Sequence, residues 1–144
     1  MAIGADLLRL HELDRLLGRP WFRRFAYTEA ELAVAAGYGP DRAREFLAGR
    51  FAAKEAVLKA IGTGMTGGVR PCQVAVLKGD DGAPVVRLSG AAADRAAEAG
   101  LSAVGVSITH KGDLVLAVAL AAPGGRDGTL LASLAHAVNE LFPS

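Results

Sequence analysis

The chain has 144 residues, of which 51% are hydrophobic, and its mean hydropathy is +0.29. These values predict one folded domain with a sizeable core. Sixteen basic and 15 acidic residues leave a formal charge of +1, which argues against a global basic field for nucleic acid or an anionic membrane surface. A single cysteine, Cys72, excludes an intrachain disulfide, and no run approaches the roughly 20 apolar residues of a membrane span. With no apolar signal region at the N-terminus, we expect a cytoplasmic protein.

The N-terminal segment, residues 2–10, predicts a short buried strand, because apolar residues alternate loosely around one acid, Asp6. A carboxylate inside such a strand is costly unless it is paired or bound to a metal. Two interpretations stay open from these residues alone: Asp6 faces solvent at a strand end, or it is a ligand.

Arginines and aromatic residues alternate between residues 13 and 26. This pattern predicts a short amphipathic helix and a loop, with Trp21, Phe22 and Phe25 facing the core. The arginines remain candidates for docking an acidic protein.

The next helix is predicted from a capping box, Thr28 with Glu31, and ends at Gly37 and Gly39. A longer helix follows, for which Asp41 is the expected N-cap. Its apolar residues recur with helical spacing and predict a stripe that faces the core. The stripe consists of Leu47, Phe51, Leu58 and Ile61.

The segment RFAAKEAVLKAIGTG, residues 50–64, contains the highest concentration of candidate functional residues. Glu55 and Lys59 are four residues apart and therefore share a helix face, although such a pair is commonly a solvated surface pair. We expect Arg50, Lys54 and Lys59 to surround Glu55 on one flank, a surface suited to a metal-bridged pyrophosphate. The glycines that follow either cap the helix or let backbone amides approach a phosphate.

Two hairpins are predicted in the second half. The first joins residues 72–77 to residues 84–88 through a Gly-Asp-Asp-Gly turn, and Ser89 then caps a small helix that ends at Gly100. The second joins residues 104–108 to residues 114–120, with His110 at its tip, where a lone histidine is commonly just exposed. Residues 123–128 are predicted to form a linker, and residues 129–144 are predicted to form a C-terminal helical extension.

Three short segments together resemble the holo-acyl-carrier-protein synthases, the small trimeric class of 4'-phosphopantetheinyl transferases, over residues 2–121. They are the Gly4-Ala5-Asp6 motif, the Lys54-Glu55-Ala56 motif with Lys59, and the SITH segment that ends at His110. The resemblance implies an α+β fold, a small antiparallel sheet packed with one long helix and shorter helices. It places a transferase domain at residues 1–122.

The resemblance also implies residue roles. Asp6 and Glu55 bind a catalytic magnesium ion, and Lys59 acts with them in catalysis. Coenzyme A is bound by Arg50, Lys59, Gly64 and His110. The implied reaction transfers 4'-phosphopantetheine from coenzyme A to a serine of an apo acyl carrier protein and releases 3',5'-ADP, in fatty-acid (lipid) or polyketide biosynthesis. The alternative is a noncatalytic protein of the same fold that binds coenzyme A or a carrier protein.

Three positions depart from the family pattern. Ala5 stands where the family usually has a larger aliphatic residue, so we expect looser packing near Asp6 with its carboxylate kept. Glu12 stands where an arginine commonly helps to dock the acidic carrier protein, so we expect a divergent partner or docking through Arg9, Arg15 or Arg24. Lys111 adds a cation beside His110, which favours phosphate binding. The resemblance further implies a homotrimer with each active site at a subunit interface.

Overall fold

The structure, a computed structural model, describes residues 1–124. The predicted C-terminal extension and most of the predicted linker lie outside these residues. Strands and helices alternate irregularly along the chain, which confirms the expected α+β class. The elements are β1 (Ala2–Arg9), α1 (Leu10–Leu17), α2 (Pro20–Ala26), α3 (Glu29–Ala36), α4 (Pro40–Ile61), β2 (Val74–Lys78), β3 (Pro84–Leu88), α5 (Gly90–Glu98), β4 (Ala103–Lys111) and β5 (Leu114–Ala122).

The sheets are antiparallel, as the hairpin patterns predict. β1, β5 and β4 form one sheet in the order β1-β5-β4, while β2 and β3 form a separate two-stranded ribbon. The inner face of β5 consists of small buried residues that lie against α4. Because alanines replace bulky side chains there, the helix and the sheet approach closely. These alanines are Ala117, Ala119 and Ala121.

Gly4 sets the closest approach between β1 and α4. A Cβ atom at this position would overlap the backbone of Ala56 and Ala60. No side chain therefore fits, and the strand lies directly on the helix. The glycine of the Gly-x-Asp motif brings Asp6, two residues further along β1, to the last turns of α4.

The long helix α4 is the centre of the core; its predicted apolar stripe does face that core, but its predicted N-cap is wrong. Its N-cap is Gly39 with Pro40 in the first turn, while Asp41 lies inside that turn. This start follows from the fixed φ of proline, which suits the first helical position. Burial also extends well beyond the expected stripe, because α4 packs on the main sheet on one side and on α3 and β2 on another.

The arginine-rich segment forms two helices, α1 and α2, rather than one. Phe22 is buried and Phe25 half-buried, but Trp21 is 56% exposed, so the prediction that all three aromatics face the core is wrong for Trp21. Trp21 precedes Phe22 on a short helix, and neighbouring helical positions point in different directions.

The outer face of the main sheet is apolar, and no element within residues 1–124 covers it. Ile3 is 66% exposed and Leu7 62% exposed, and β5 adds half-buried Leu116, Val118 and Leu120 beside them. Strand β1 is thus buried on its inner face alone. In residues 1–124, no helix combines the length and the apolar character needed to cross a bilayer.

Candidate active site

Asp6, Glu55 and Lys59 meet where β1 crosses the last turns of α4. The Lys59 Nζ atom donates to an Asp6 carboxylate oxygen and to the Ala5 carbonyl oxygen, each at 3.0 Å. Lys59 is 52% exposed and Asp6 17% exposed, so the pair opens to solvent on the lysine side. The structure therefore brings together the three residues that the sequence predicts as catalytic.

Glu55 lies beside this pair with one carboxylate oxygen unsatisfied. Its Oε1 atom is buried and has no hydrogen-bond partner among the described residues. Burial raises the pKa of Glu55, the nearby Asp6 charge raises it further, and the Lys59 charge opposes both effects. A buried carboxylate oxygen without a partner is costly, and a bound cation would remove that cost.

The two carboxylates fit a magnesium ion. Mg²⁺ prefers oxygen donors, keeps several water ligands, and is commonly held by one or two carboxylates together with substrate phosphates. Within residues 1–124 there is no group of three or more His, Cys, Asp or Glu residues that could hold a metal on its own. Asp6 and Glu55 would thus fill only part of an octahedral shell, which suits a metal whose other ligands are water and a phosphate group.

Arg50 lies on another side of α4. Five residues separate it from Glu55, which corresponds to about 140° around the helix, so the two side chains do not share a face. Arg50 lines a groove of about 520 Å³ between α3, α4 and the β2–β3 ribbon. Its guanidinium lies 4.6 Å from the centre of the Phe46 ring, and its buried Nε atom has no hydrogen-bond partner among the described residues.

His110 also reaches α4, but near the middle of that helix. One imidazole nitrogen, Nε2, lies 3.2 Å from the Glu45 carbonyl oxygen. A Cβ atom on Gly49 would lie 3.1 Å from the imidazole, so this glycine makes room for the ring. Ten residues separate Gly49 from Lys59, about 15 Å along a helix, so His110 is not part of the Asp6 cluster within one chain.

Gly64 follows the end of α4. The helix ends at Gly62, whose φ of +83° is the left-handed conformation that favours glycine, and Gly64 also has a positive φ of +55°. Gly64 is exposed, and its neighbourhood is open. The C-cap role predicted for the glycine run is confirmed at Gly62.

Lys54 is where the sequence prediction fails. It is fully buried and its Nζ atom lies 2.7 Å from a Glu31 carboxylate oxygen, so it does not belong to a cationic flank around Glu55. The prediction that Arg50, Lys54 and Lys59 surround Glu55 on one flank is therefore wrong. The signal was available in the spacing, because Lys54 lies seven residues after Leu47 and four before Leu58, inside the apolar stripe.

Two carboxylates and a lysine that meet where β1 crosses the last turns of α4 form a candidate site for a metal ion and a phosphate group. The sequence pattern of the 4'-phosphopantetheinyl transferase superfamily matches residues 2–119. The holo-[acyl-carrier-protein] synthase of Desulforudis audaxviator is 39% identical over 128 residues, covering 84% of this chain and 92% of the relative.

Solved structures agree with the sequence relatives. Holo-[acyl-carrier-protein] synthase from Neisseria meningitidis superposes with a TM-score of 0.75 at 32% identity, covering 84% of this chain and 97% of that one. The Bacillus anthracis enzyme, solved in complex with CoA (3',5'-ADP), superposes with a TM-score of 0.69 at 33% identity, covering 83% and 94%. The chain therefore belongs to the 4'-phosphopantetheinyl transferase superfamily, among its holo-[acyl-carrier-protein] synthases.

Proposed function

We propose that this protein transfers the 4'-phosphopantetheine group of coenzyme A to a serine of an apo acyl carrier protein, with magnesium held by Asp6 and Glu55. The unsatisfied Glu55 Oε1 atom beside Asp6 is the observation that carries the metal assignment. The noncatalytic alternative requires the loss of a metal carboxylate, and both carboxylates are present.

The proposed reaction is a displacement at the β-phosphorus of coenzyme A. The serine oxygen forms a new bond to that phosphorus, the bond to the bridging oxygen breaks, and 3',5'-ADP leaves with the electron pair of that bond. A bound magnesium ion supplies charge neutralisation for the pyrophosphate oxygens. The half-exposed Lys59 ammonium binds the same oxygens. Glu55 orients the base that accepts the serine proton.

The proposed active unit is a homotrimer in which neighbouring chains complete each site. Two observations support it. The outer face of the main sheet exposes Ile3 and Leu7, which a neighbouring chain would cover. Arg50 and His110 also lie too far from Asp6 in one chain to contact the same pyrophosphate, so coenzyme A is best bound between Asp6 of one chain and Arg50 of the next.

The carrier protein is proposed to dock beside α1 and α2. Exposed Arg15 and Arg24 offer positive charge there, and Trp21 offers exposed apolar surface. Glu12, in the first turn of α1, would repel an acid at the same position and so selects among carrier proteins. A cytoplasmic location and a role in fatty-acid or polyketide synthesis accord with this partner.

Intact-mass spectrometry of an apo acyl carrier protein tests the reaction. Incubation with the enzyme, coenzyme A and magnesium should add one phosphopantetheine group, and a chelator or Asp6→Ala should abolish the addition. Coenzyme A binding without any transfer to several carrier proteins would instead support the noncatalytic alternative.

Subunit complementation tests the shared site. Asp6→Ala and Arg50→Ala chains, each inactive alone, should regain part of the wild-type activity when they are mixed and reassembled, because some interfaces then contain both intact residues. If mixing restores nothing although native mass spectrometry shows mixed trimers, each site is built from one chain.

A further inference from the structure

The Lys54–Glu31 pair is buried in the wall of the Arg50 groove and is unusually complete. The Lys54 Nζ atom donates to a Glu31 carboxylate oxygen at 2.7 Å, to the Val74 carbonyl oxygen at 2.6 Å and to the Pro71 carbonyl oxygen at 3.3 Å. Every donor position of the ammonium therefore has an acceptor. Lys54 is 0% exposed, so it cannot touch a ligand in the groove.

Glu31 is satisfied on both oxygens. Its Oε1 atom also accepts from the Thr28 amide at 2.8 Å, and its Oε2 atom accepts from the Val76 amide at 2.9 Å. The pair thereby joins the start of α3, helix α4 and the first residues of strand β2. Glu31 is 1% exposed, yet it contributes to the lining of the groove.

Arg50 shares that groove and lies within the electrostatic influence of Glu31. Its buried Nε atom has no hydrogen-bond partner among the described residues. Arginine remains cationic in proteins, so an unpaired buried guanidinium nitrogen beside a carboxylate is an unusual arrangement. Within residues 1–124, the hydrogen-bond partners of the Glu31 oxygens include Lys54 and the Thr28 and Val76 amides, and Arg50 is not among them.

We propose that Lys54 is a positioning residue for coenzyme A: by pairing with Glu31, it keeps the Arg50 guanidinium free for a phosphate of the cofactor. This inference rests on the proposed function, because it takes coenzyme A as the ligand of the groove. It assigns the first lysine of the Lys-Glu-Ala motif a role that acts through Glu31 and Arg50 rather than through contact with the cofactor.

Calorimetric titration of the full chain with coenzyme A tests the proposal through three variants. Lys54→Met leaves a free carboxylate beside Arg50 and should weaken binding by about tenfold or more, the scale of one lost charge-assisted hydrogen bond. Glu31→Gln removes the competing charge and should leave binding unchanged or tighter. The double variant should bind within about threefold of wild type, because both charges are gone.

The opposite effects of the two single variants separate this role from a purely structural one. Damage to packing alone would weaken binding in Glu31→Gln as well, and that result would overturn the proposal. Direct contact between Lys54 and coenzyme A would leave the double variant as weak as Lys54→Met, which would also overturn it. If Lys54→Met fails to fold, Lys54→Gln, whose amide can still donate to Glu31 but leaves its charge uncompensated, should weaken binding in the same direction. Unchanged binding in a folded Lys54 variant would overturn the proposal.

An Arg50→Gln background is the matched control. In that background Lys54→Met should have no further effect on the dissociation constant, since the group that Glu31 would capture is absent. An undiminished effect there would contradict the proposal. Absence of coenzyme A binding by the wild-type chain would instead refute the proposed function, so the two failures are distinguishable.

Discussion

Two lysine–carboxylate pairs lie on different sides of α4 and differ in almost every physical respect. The Lys54–Glu31 pair is 0% and 1% exposed, and each charged atom has its partners within the chain. The Lys59–Asp6 pair is 52% and 17% exposed and lies beside a Glu55 oxygen that has no hydrogen-bond partner within residues 1–124. Five residues separate the two lysines, yet one pair is complete and the other is not.

Completeness separates a structural pair from a binding pair. Burying two charges is costly, and the chain offsets that cost at Lys54 with backbone carbonyls and amides. At Asp6 the chain leaves an excess of negative charge and an open side, which an external cation and a phosphate can occupy. We therefore assign the incomplete pair, Lys59–Asp6, to the proposed transfer reaction.

The largest expected effect is on stability at the complete pair. Lys54→Met should lower the free energy of unfolding by about 3–5 kcal/mol, because it leaves the Glu31 charge buried and unpaired. Urea unfolding measures this loss. The Glu31→Gln/Lys54→Met double variant should recover most of it, and a double variant as unstable as Lys54→Met would show that the lysine acts through packing alone.

At the incomplete pair the expected effect is on activity. Asp6→Asn should reduce the rate of transfer by about 100-fold or more, because a metal contributes several kcal/mol to such a transition state and each 1.36 kcal/mol is tenfold. The unfolding midpoint should change little, since Asp6 has one exposed partner. A stable variant with near-normal turnover would remove Asp6 from the metal site.

Glu55→Gln should weaken metal binding and slow transfer together. The neutral amide keeps the shape of the side chain but loses the charge that a cation needs, so metal affinity should fall by about 10–100-fold. A metal titration beside a turnover assay measures both. Retention of both properties would contradict the role assigned to Glu55.

Gly4→Ala should displace Asp6 and so disturb the Lys59–Asp6 pair. The added methyl group overlaps the backbone of Ala56 and Ala60, so the strand must move away from the helix, at a cost of about 1–3 kcal/mol. Activity should fall with stability because Asp6 moves with β1. Gly39→Ala, at the opposite end of α4 from this site, serves as the control, because a Cβ atom there meets no atom beyond its chain neighbours within 4 Å.

The smallest expected effect concerns a third pair, Asp14 with Arg44, which is exposed and bidentate at 2.6 and 2.8 Å. The hydrogen bond from Arg44 lowers the pKa of Asp14 below its ordinary value of 3.8. Its contribution to stability is therefore present above that value and is lost as the pH falls through the lower, folded-state pKa. Asp14→Asn should slightly lower the melting temperature at pH 7 and not in strong acid.

Much of the fold was predictable because its signals are local. The Thr28–Glu31 capping box, both hairpins and the start of β1 follow from neighbouring residues. The extent of burial around α4 was not predictable, because it depends on which elements pack on each side of the helix. Trp21 illustrates the same limit, since its exposure follows from how α2 lies on the domain.

The site was partly predictable. Asp6, Glu55 and Lys59 come together as predicted, since helical spacing fixes two of them and the Gly-x-Asp motif fixes the third. The burial of Lys54 was not predicted, because lysine is ordinarily a surface residue. Its position in the apolar stripe and the acid of the capping box both indicate burial. The distances of Arg50 and His110 from Asp6 could not be predicted from the sequence, because they depend on the three-dimensional fold.

The most direct test of the account is cation binding at the incomplete pair, measured by Mn²⁺ paramagnetic resonance in the presence of coenzyme A. Wild type and Glu31→Gln should each bind one ion per active site, whereas Asp6→Asn and Glu55→Gln should lose that ion. Equal Mn²⁺ binding by all four proteins would contradict the assignment of Asp6 and Glu55 as metal ligands.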